Sequence, residues 1–146
     1  MTRGRVFVLT VDTGESFRRV IETFCSENSV SKAKVTILGG MQGGSSFVSG
    51  PVMDGDREAM PIAPTVVSTD APAEFYGVGT VFPNEAGSPV LHLHGSVGRE
   101  GDSSTGCFRE NAIAWLTMEV VIEELIGPDA VRRYDEKTGV SPLILG

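Results

Sequence analysis

The apolar positions of this 146-residue chain recur at two periods. Phe17, Val20, Ile21, Phe24 and Cys25 follow the i, i+3, i+4, i+7, i+8 spacing of one helix face, which predicts an amphipathic helix from Glu15 to Glu27. Asp12-Thr13-Gly14 offers its N-cap, and Asn28 with Ser29 ends it. Glu15 with Arg19 and Arg18 with Glu22 stand at supporting spacing on the outer side. Nearly everything else alternates at period two or is rich in β-branched residues, as strands are. On this basis strands are expected over Gly4–Val11, Ala33–Leu38, Ser45–Gly50, around Arg57–Met60, at Thr65–Ser68 and over Glu74–Phe82. The segment Ala112–Leu125 half fits a helix, but its β-branched cluster from Thr117 to Ile122 favours a strand preceded by a turn or short helix at Arg109–Trp115. Val131–Gly139 reads as a charged connection and Ser141–Leu145 as a last short strand. Several antiparallel-looking strands and one strong helix make an α+β domain, expected to be a single unit over residues 1–146.

One strand carries both histidines of the protein. In Val90-Leu91-His92-Leu93-His94-Gly95 the leucines fall on one face, and the histidines project side by side from the other, about 7 Å apart at Cβ by twice the strand rise. Two imidazoles so placed can close on one metal ion if a third ligand reaches them. Cys107, brought back by a turn containing Gly95, Gly98 and Gly101, is the candidate. Imidazole and thiolate together suit zinc, with other late transition metals also permitted. Three protein ligands leave one position open for water or a substrate atom, whereas a purely structural zinc has four. Glu100, Asp102 and Glu110 lie near in sequence and could hydrogen-bond a ligand histidine or act on bound water; their spacing selects none of them. Paired histidines on a solvated strand face need no metal, so His-x-His alone does not decide the matter. A cupin would also present His-x-His, but position 98 is Gly where a glutamate belongs, and there is no third histidine.

Composition narrows the classes. Twelve basic against 19 acidic residues give −7 with histidines neutral, which argues against a large non-specific phosphate-binding surface. Arg3-Gly4-Arg5 resembles the core of an AT-hook, yet Val6 stands where that peptide needs proline, and a charged strand end is the simpler account. Gly39-Gly40-Met41-Gln42-Gly43-Gly44 is followed by neither Gly-Lys-Ser/Thr nor a helix, so it is expected to form a hairpin with close backbone approach and not a phosphate loop. Eighteen glycines and eight prolines suit many short strands. Met1-Thr2-Arg3 runs directly into strand-like sequence, so no signal peptide is expected, and no apolar run has the length of a membrane span. The two cysteines read as reduced thiols in a soluble, cytoplasmic protein, with Cys25 on the apolar helix stripe a core residue.

Leu91-His92-Leu93-His94, the spacing to Thr105-Gly106-Cys107-Phe108, and the Thr117–Ile122 strand together resemble the plants-and-prokaryotes-conserved (PPC) domain, in its stand-alone prokaryotic form. The opening strand and helix, the Gly-rich stretch and Tyr134–Gly139 extend the resemblance over most of the chain. The resemblance implies an α+β fold, a mostly antiparallel sheet beside one main N-terminal helix, assembled as a homotrimer. It also implies a metal, typically zinc, on three motif histidines near a subunit boundary. Two of these map onto His92 and His94; the third falls on Cys107, a departure that keeps a competent ligand but donates more charge and is open to oxidation. In plants the domain follows AT-hooks in nuclear DNA-binding proteins, and prokaryotic members are often labelled DNA-binding by association.

Three functions follow as expectations. The first is a zinc-binding trimer whose open position takes a small anionic or carbonyl ligand, or water; no residue is assigned a general-base role and no reaction is named. The second is a DNA-binding or transcription-associated protein, opposed by the net charge, the missing AT-hook proline and the lack of a helix-turn-helix. The third is a structural trimer acting as a protein-interaction module. No membrane partner is expected.

Overall fold

Strand β1 (Thr2–Asp12) lies at one edge of an eight-stranded antiparallel sheet, and the helix α1 (Phe17–Glu27) that follows it packs across the sheet's inner face. The fold is described here from a computed structural model covering residues 1–146. The remaining sheet strands are β2 (Ala33–Met41), β3 (Ser46–Pro51), β6 (Pro64–Ser68), β7 (Ala73–Pro83), β8 (Pro89–Arg99), β9 (Asp102–Phe108) and β10 (Ala114–Ile126). A small hairpin, β4 (Met53–Asp54) with β5 (Arg57–Glu58), projects between β3 and β6, and β11 (Ala130–Arg132) pairs with β12 (Leu143–Leu145) near the end of the chain. Across the sheet the order is β1-β10-β2-β7-β8-β9-β3-β6. The architecture is thus α+β, a mostly antiparallel sheet with one helix, as the periodicity led us to expect.

The helix buries Phe17, Ile21 and Cys25 in one core with Val35, Ile37, Met118, Val120 and Ile122 of the central strands, and β8 is the strand it lies nearest. It begins two residues later than expected. Ser16, in extended conformation, is the N-cap and accepts from the Arg19 N–H, while Asp12 ends β1 and its N–H donates to Glu15 Oε2. Asp12–Glu15 is therefore a turn, and Glu15 is spent there. Arg18 does pair with Glu22, at 2.8 Å, but Arg19 reaches out to Glu110 instead of back to Glu15.

The Gly-rich stretch does not close a hairpin. β2 continues to Met41 between β10 and β7, whereas β3 lies between β9 and β6, with three strands separating the two. Gln42–Ser45 crosses the end of the sheet, where the Gln42 and Gly44 N–H groups donate to the carbonyls of Ile113 and Thr69. The close approach holds: a Cβ on Gly39 would sit 2.6 Å from the Thr117 carbonyl oxygen, and one on Gly40 2.6 Å from that of Trp115. These glycines accept a bulge in β10, where Trp115 pairs with Gly40 but Met118 with Gly39. Leu116, with φ at 60°, is pushed outward by it. Past that bulge β10 alternates as a strand, with Met118, Val120 and Ile122 all facing the core.

Beneath the β8–β9 hairpin the core is aromatic. Phe108 stacks on Phe47 at 4.8 Å between centroids and meets Phe75 edge-on at 4.6 Å, and Phe75 continues to Phe17 at 5.2 Å. Such contacts add about 0.5–1.5 kcal/mol each beyond area burial, so the strand ending at Phe108 is firmly held.

Candidate metal centre

Leu91 and Leu93 are buried in the core, and the alternation of β8 then obliges His92 and His94 to stand on the outer face of the sheet. The same rule acts on β9: Phe108 goes in, so Cys107 comes out. The turn that returns the chain is shorter than the glycines suggested. Only Glu100 and Gly101 lie between Arg99 and its partner Asp102, both with positive φ (55° and 92°), as a two-residue hairpin loop of type I′ requires. Gly95 and Gly98 belong to β8 itself.

This register sets Cys107 directly opposite His94, with Val78 of β7 on the other side of His94 and Val48 of β3 beyond Cys107. His92 lies opposite Thr80. On its other flank β9 has ended, since the last β8–β9 pair is Leu93 with Phe108. The Nε2 atoms of the two histidines are 3.1 Å apart with rings nearly perpendicular, and the ligand atoms of His92, His94 and Cys107 all lie within 4.8 Å of one another. Metal–nitrogen and metal–sulfur bonds of about 2.0 and 2.3 Å, opened at tetrahedral angles, call for about 3.3–3.5 Å between ligand atoms. The two nitrogens are near that spacing, the widest pair closes to it by side-chain rotation, and the donor set fits a zinc-like ion.

Two cavities flank the cluster, of about 700 and 590 Å³, and His92, Cys107 and Arg109 line both. The larger opens where β9 stops, between α1 and the segment Arg132–Leu143. The surroundings are not those expected from nearby sequence. Glu100 pairs with Arg99 at the hairpin tip, Glu110 pairs with Arg19, and neither these nor Asp102 line either cavity. Arg18, Arg109 and Arg132 do. Arg132 sits on β11, is 7% exposed, and donates through Nη2 to Thr80 Oγ1 at 2.9 Å, so it holds the residue facing His92. Burial and then the charge of Arg18 push the Arg132 pKa down. Burial likewise lowers the His92 pKa below 6.5, helped by Arg132, His94 and Arg109. The local charge around His92 is positive in a chain of net −7.

Sequence spacing gave no sign of these arginines. The one available cue is that Ala130 and Arg132 share the inward face of a short strand, which overlaps the start of the expected charged connection Val131–Gly139. Cys25, by contrast, is where its helix position put it, fully buried, its thiol pushed up to about 11 by burial.

The sequence model of the Plants and Prokaryotes Conserved (PCC) domain matches residues 1–126. The chain belongs to this family. The matched span stops short of β11 and of Tyr134–Gly139. No curated protein is similar to the chain at a significant level. Among solved structures, this PCC-domain protein is similar to a metal-containing protein from Archaeoglobus fulgidus (TM-score 0.80, 22% identity, covering 98% of this chain and 95% of that one). It is also similar to a plant- and prokaryote-conserved (PPC) protein from Pyrococcus horikoshii (TM-score 0.78, 23% identity, covering 96% and 91%). A third, from Bacteroides thetaiotaomicron and named as a proposed DNA-binding protein, has a TM-score of 0.73 at 16% identity and covers 98% and 96%. At these identities the likeness concerns the fold. No helix of the PCC-domain protein is long and apolar enough to cross a membrane.

Proposed function

We propose that this protein is a metal-binding PCC domain, one unit over residues 1–146, that holds a single ion through His92, His94 and Cys107 and offers an open position to a small ligand or to water. The observation that carries this reading is the convergence of three ligand atoms of the right chemistry from two adjacent strands. The His₂Cys set favours zinc, and the A. fulgidus neighbour is named as metal-containing. An ion held by His92, His94 and Cys107 would supply Lewis acidity to an oxygen at its open position. The cavities on either side admit a molecule of small-ligand size. A thiol ligand requires reducing surroundings, which favours a cytoplasmic setting.

The domain is further proposed to assemble as a homotrimer. The outer sheet face exposes Val6, Val8, Leu38, Tyr76 and Val78, large apolar side chains spread over three neighbouring cross-strand rows that another copy would cover. The same cross-strand row that holds Val8 and Val78 continues to His94 and Cys107, which sets the metal position at the margin of that face.

Elemental mass spectrometry on untagged protein, beside the Cys107→Ser variant, tests the metal reading. About one zinc per chain, lost or much weakened in the variant, is expected from a three-ligand site. Absence of metal in both, even after zinc is restored under reducing conditions, overturns it. DNA binding is the second reading, favoured by the descriptions of the B. thetaiotaomicron and Ralstonia eutropha neighbours and opposed by the charge of −7. A salt-dependent shift of duplex DNA at low micromolar protein would establish it, and a flat titration at low salt would remove it.

A further inference from the structure

The larger cavity beside His92 is lined by three arginines and by no carboxylate. Arg18 is already engaged with Glu22. Arg109 is exposed and makes no ion pair, and Arg132 is buried with no acidic partner. A guanidinium carries five N–H donors. Arg132 uses one on Thr80, rests over the Phe82 ring at 5.9 Å, and leaves its buried Nε without any acceptor. Withdrawing a fixed charge from water in this way is costly unless an opposite charge meets it. In a chain with a seven-charge acidic excess, two cations without acidic partners on one cavity wall, beside an Arg18 already matched by Glu22, mark a place shaped for an anion. Tyr134 and Ser141 add hydroxyl donors to the same wall.

We infer that this cavity is an oxyanion site: Arg132 and Arg109 bind the carboxylate or phosphate group of a small molecule whose other end reaches the position between His92, His94 and Cys107. Both groups present paired oxygens that match the flat fork of a guanidinium. The volume of about 700 Å³ is that of a metabolite-sized pocket and not of a nucleic-acid groove. Only the second half of the inference, contact with the metal, rests on the function proposed above; the arginine anchor stands without it. Arg132 lies outside the span matched by the family and Arg109 inside it, so the anchor joins the matched domain to the segment that follows it.

The test is titration of ¹⁵N-labelled full-length protein, metal-free and zinc-loaded, with inorganic phosphate and separately with acetate, each against sodium chloride at equal ionic strength. The arginine Nε–Hε signals are followed by NMR, and zinc content is measured on every sample. Saturable shifts with one or both oxyanions and none with chloride are expected, and the tighter of the two identifies the group. Arg109→Gln and Arg132→Lys should each weaken binding about tenfold, as loss of a charge-assisted hydrogen bond does, with zinc content unchanged. Arg109 is exposed, so its variant decides the matter even where Arg132→Lys folds poorly. Shifts no larger than chloride gives, or binding undiminished in both variants, overturn the inference. Binding that needs zinc but ignores the arginines also overturns it and leaves the metal reading intact. Arginine-dependent binding in a protein that never takes up zinc supports the anchor and removes the metal contact.

Discussion

Cys107 and His94 are direct partners across the β8–β9 hairpin, and both stand on the outer face of the sheet. Their separation is set by backbone pairing and by the burial of Leu93 and Phe108 behind them, so the ligand pair is organised before any ion arrives. With cobalt(II) in place of zinc, the wild-type protein should show a thiolate-to-metal charge-transfer band in the near ultraviolet. Cys107→Ser should lose that band and bind the ion more than about tenfold more weakly, equivalent to about 1.4 kcal/mol. A spectrum that is the same in both proteins would remove Cys107 from the ligand set.

Much of this site could be read in advance because it depends on local rules. Alternation along β8 placed the histidines, and Cys107 followed from the hairpin. Strand order was less accessible: nothing local tells that β2 pairs with β10 and β7 while β3 crosses to the far side. The pairing is decided by where buried faces meet. Ser16 was missed as the N-cap because Asp12-Thr13-Gly14 competes with it and wins a turn instead. Arg132 was invisible for the same reason as the strand order. It reaches Thr80 from 52 residues away, and only the folded chain places it beside His92.

The surroundings of His92 dictate a pH effect. Burial and the nearby arginines hold its pKa below 6.5 in the folded, metal-free protein. The folded state then binds fewer protons than the unfolded state in that window. Stability from this group is fully present above the ordinary value of 6.5 and is lost as pH falls through the depressed one. NMR titration of the metal-free protein should place the His92 midpoint below 6.5, and Arg132→Lys should leave it low, because the charge remains. Arg109→Gln should raise it. A midpoint above 6.5 would contradict the geometry.

The Arg5–Glu124 pair makes a separate prediction at the sheet edge. Arg5 donates to both carboxylate oxygens of Glu124, at 2.7 and 2.8 Å, and its backbone N–H adds a third bond. These bonds carry the Glu124 carboxyl down to about 2. Its contribution to stability is therefore complete above the unfolded value of about 4.5 and disappears as pH falls toward 2. Glu124→Gln should lower the melting temperature at neutral pH and flatten the loss of stability between those two values.

The outer sheet face supplies the last prediction. Val8, Val121, Thr36, Val78, His94 and Cys107 form one row by strand register, and Val8 and Val78 are 74% and 55% exposed in the single chain. Val78 stands next to His94, so a copy seated on this face would lie against the metal position. If the face is the trimer contact, Val78→Asp should yield monomers by sedimentation, because a charge buried there would lack a partner. The secondary structure should survive, as the Val78 side chain makes no part of the core. The metal measurement on the same variant then separates two cases. Zinc retained in the monomer means that His92, His94 and Cys107 hold it without help from a neighbour. Zinc lost with the trimer means that assembly completes the site. A Val78→Asp protein that sediments like the wild type would show that this face is not the contact.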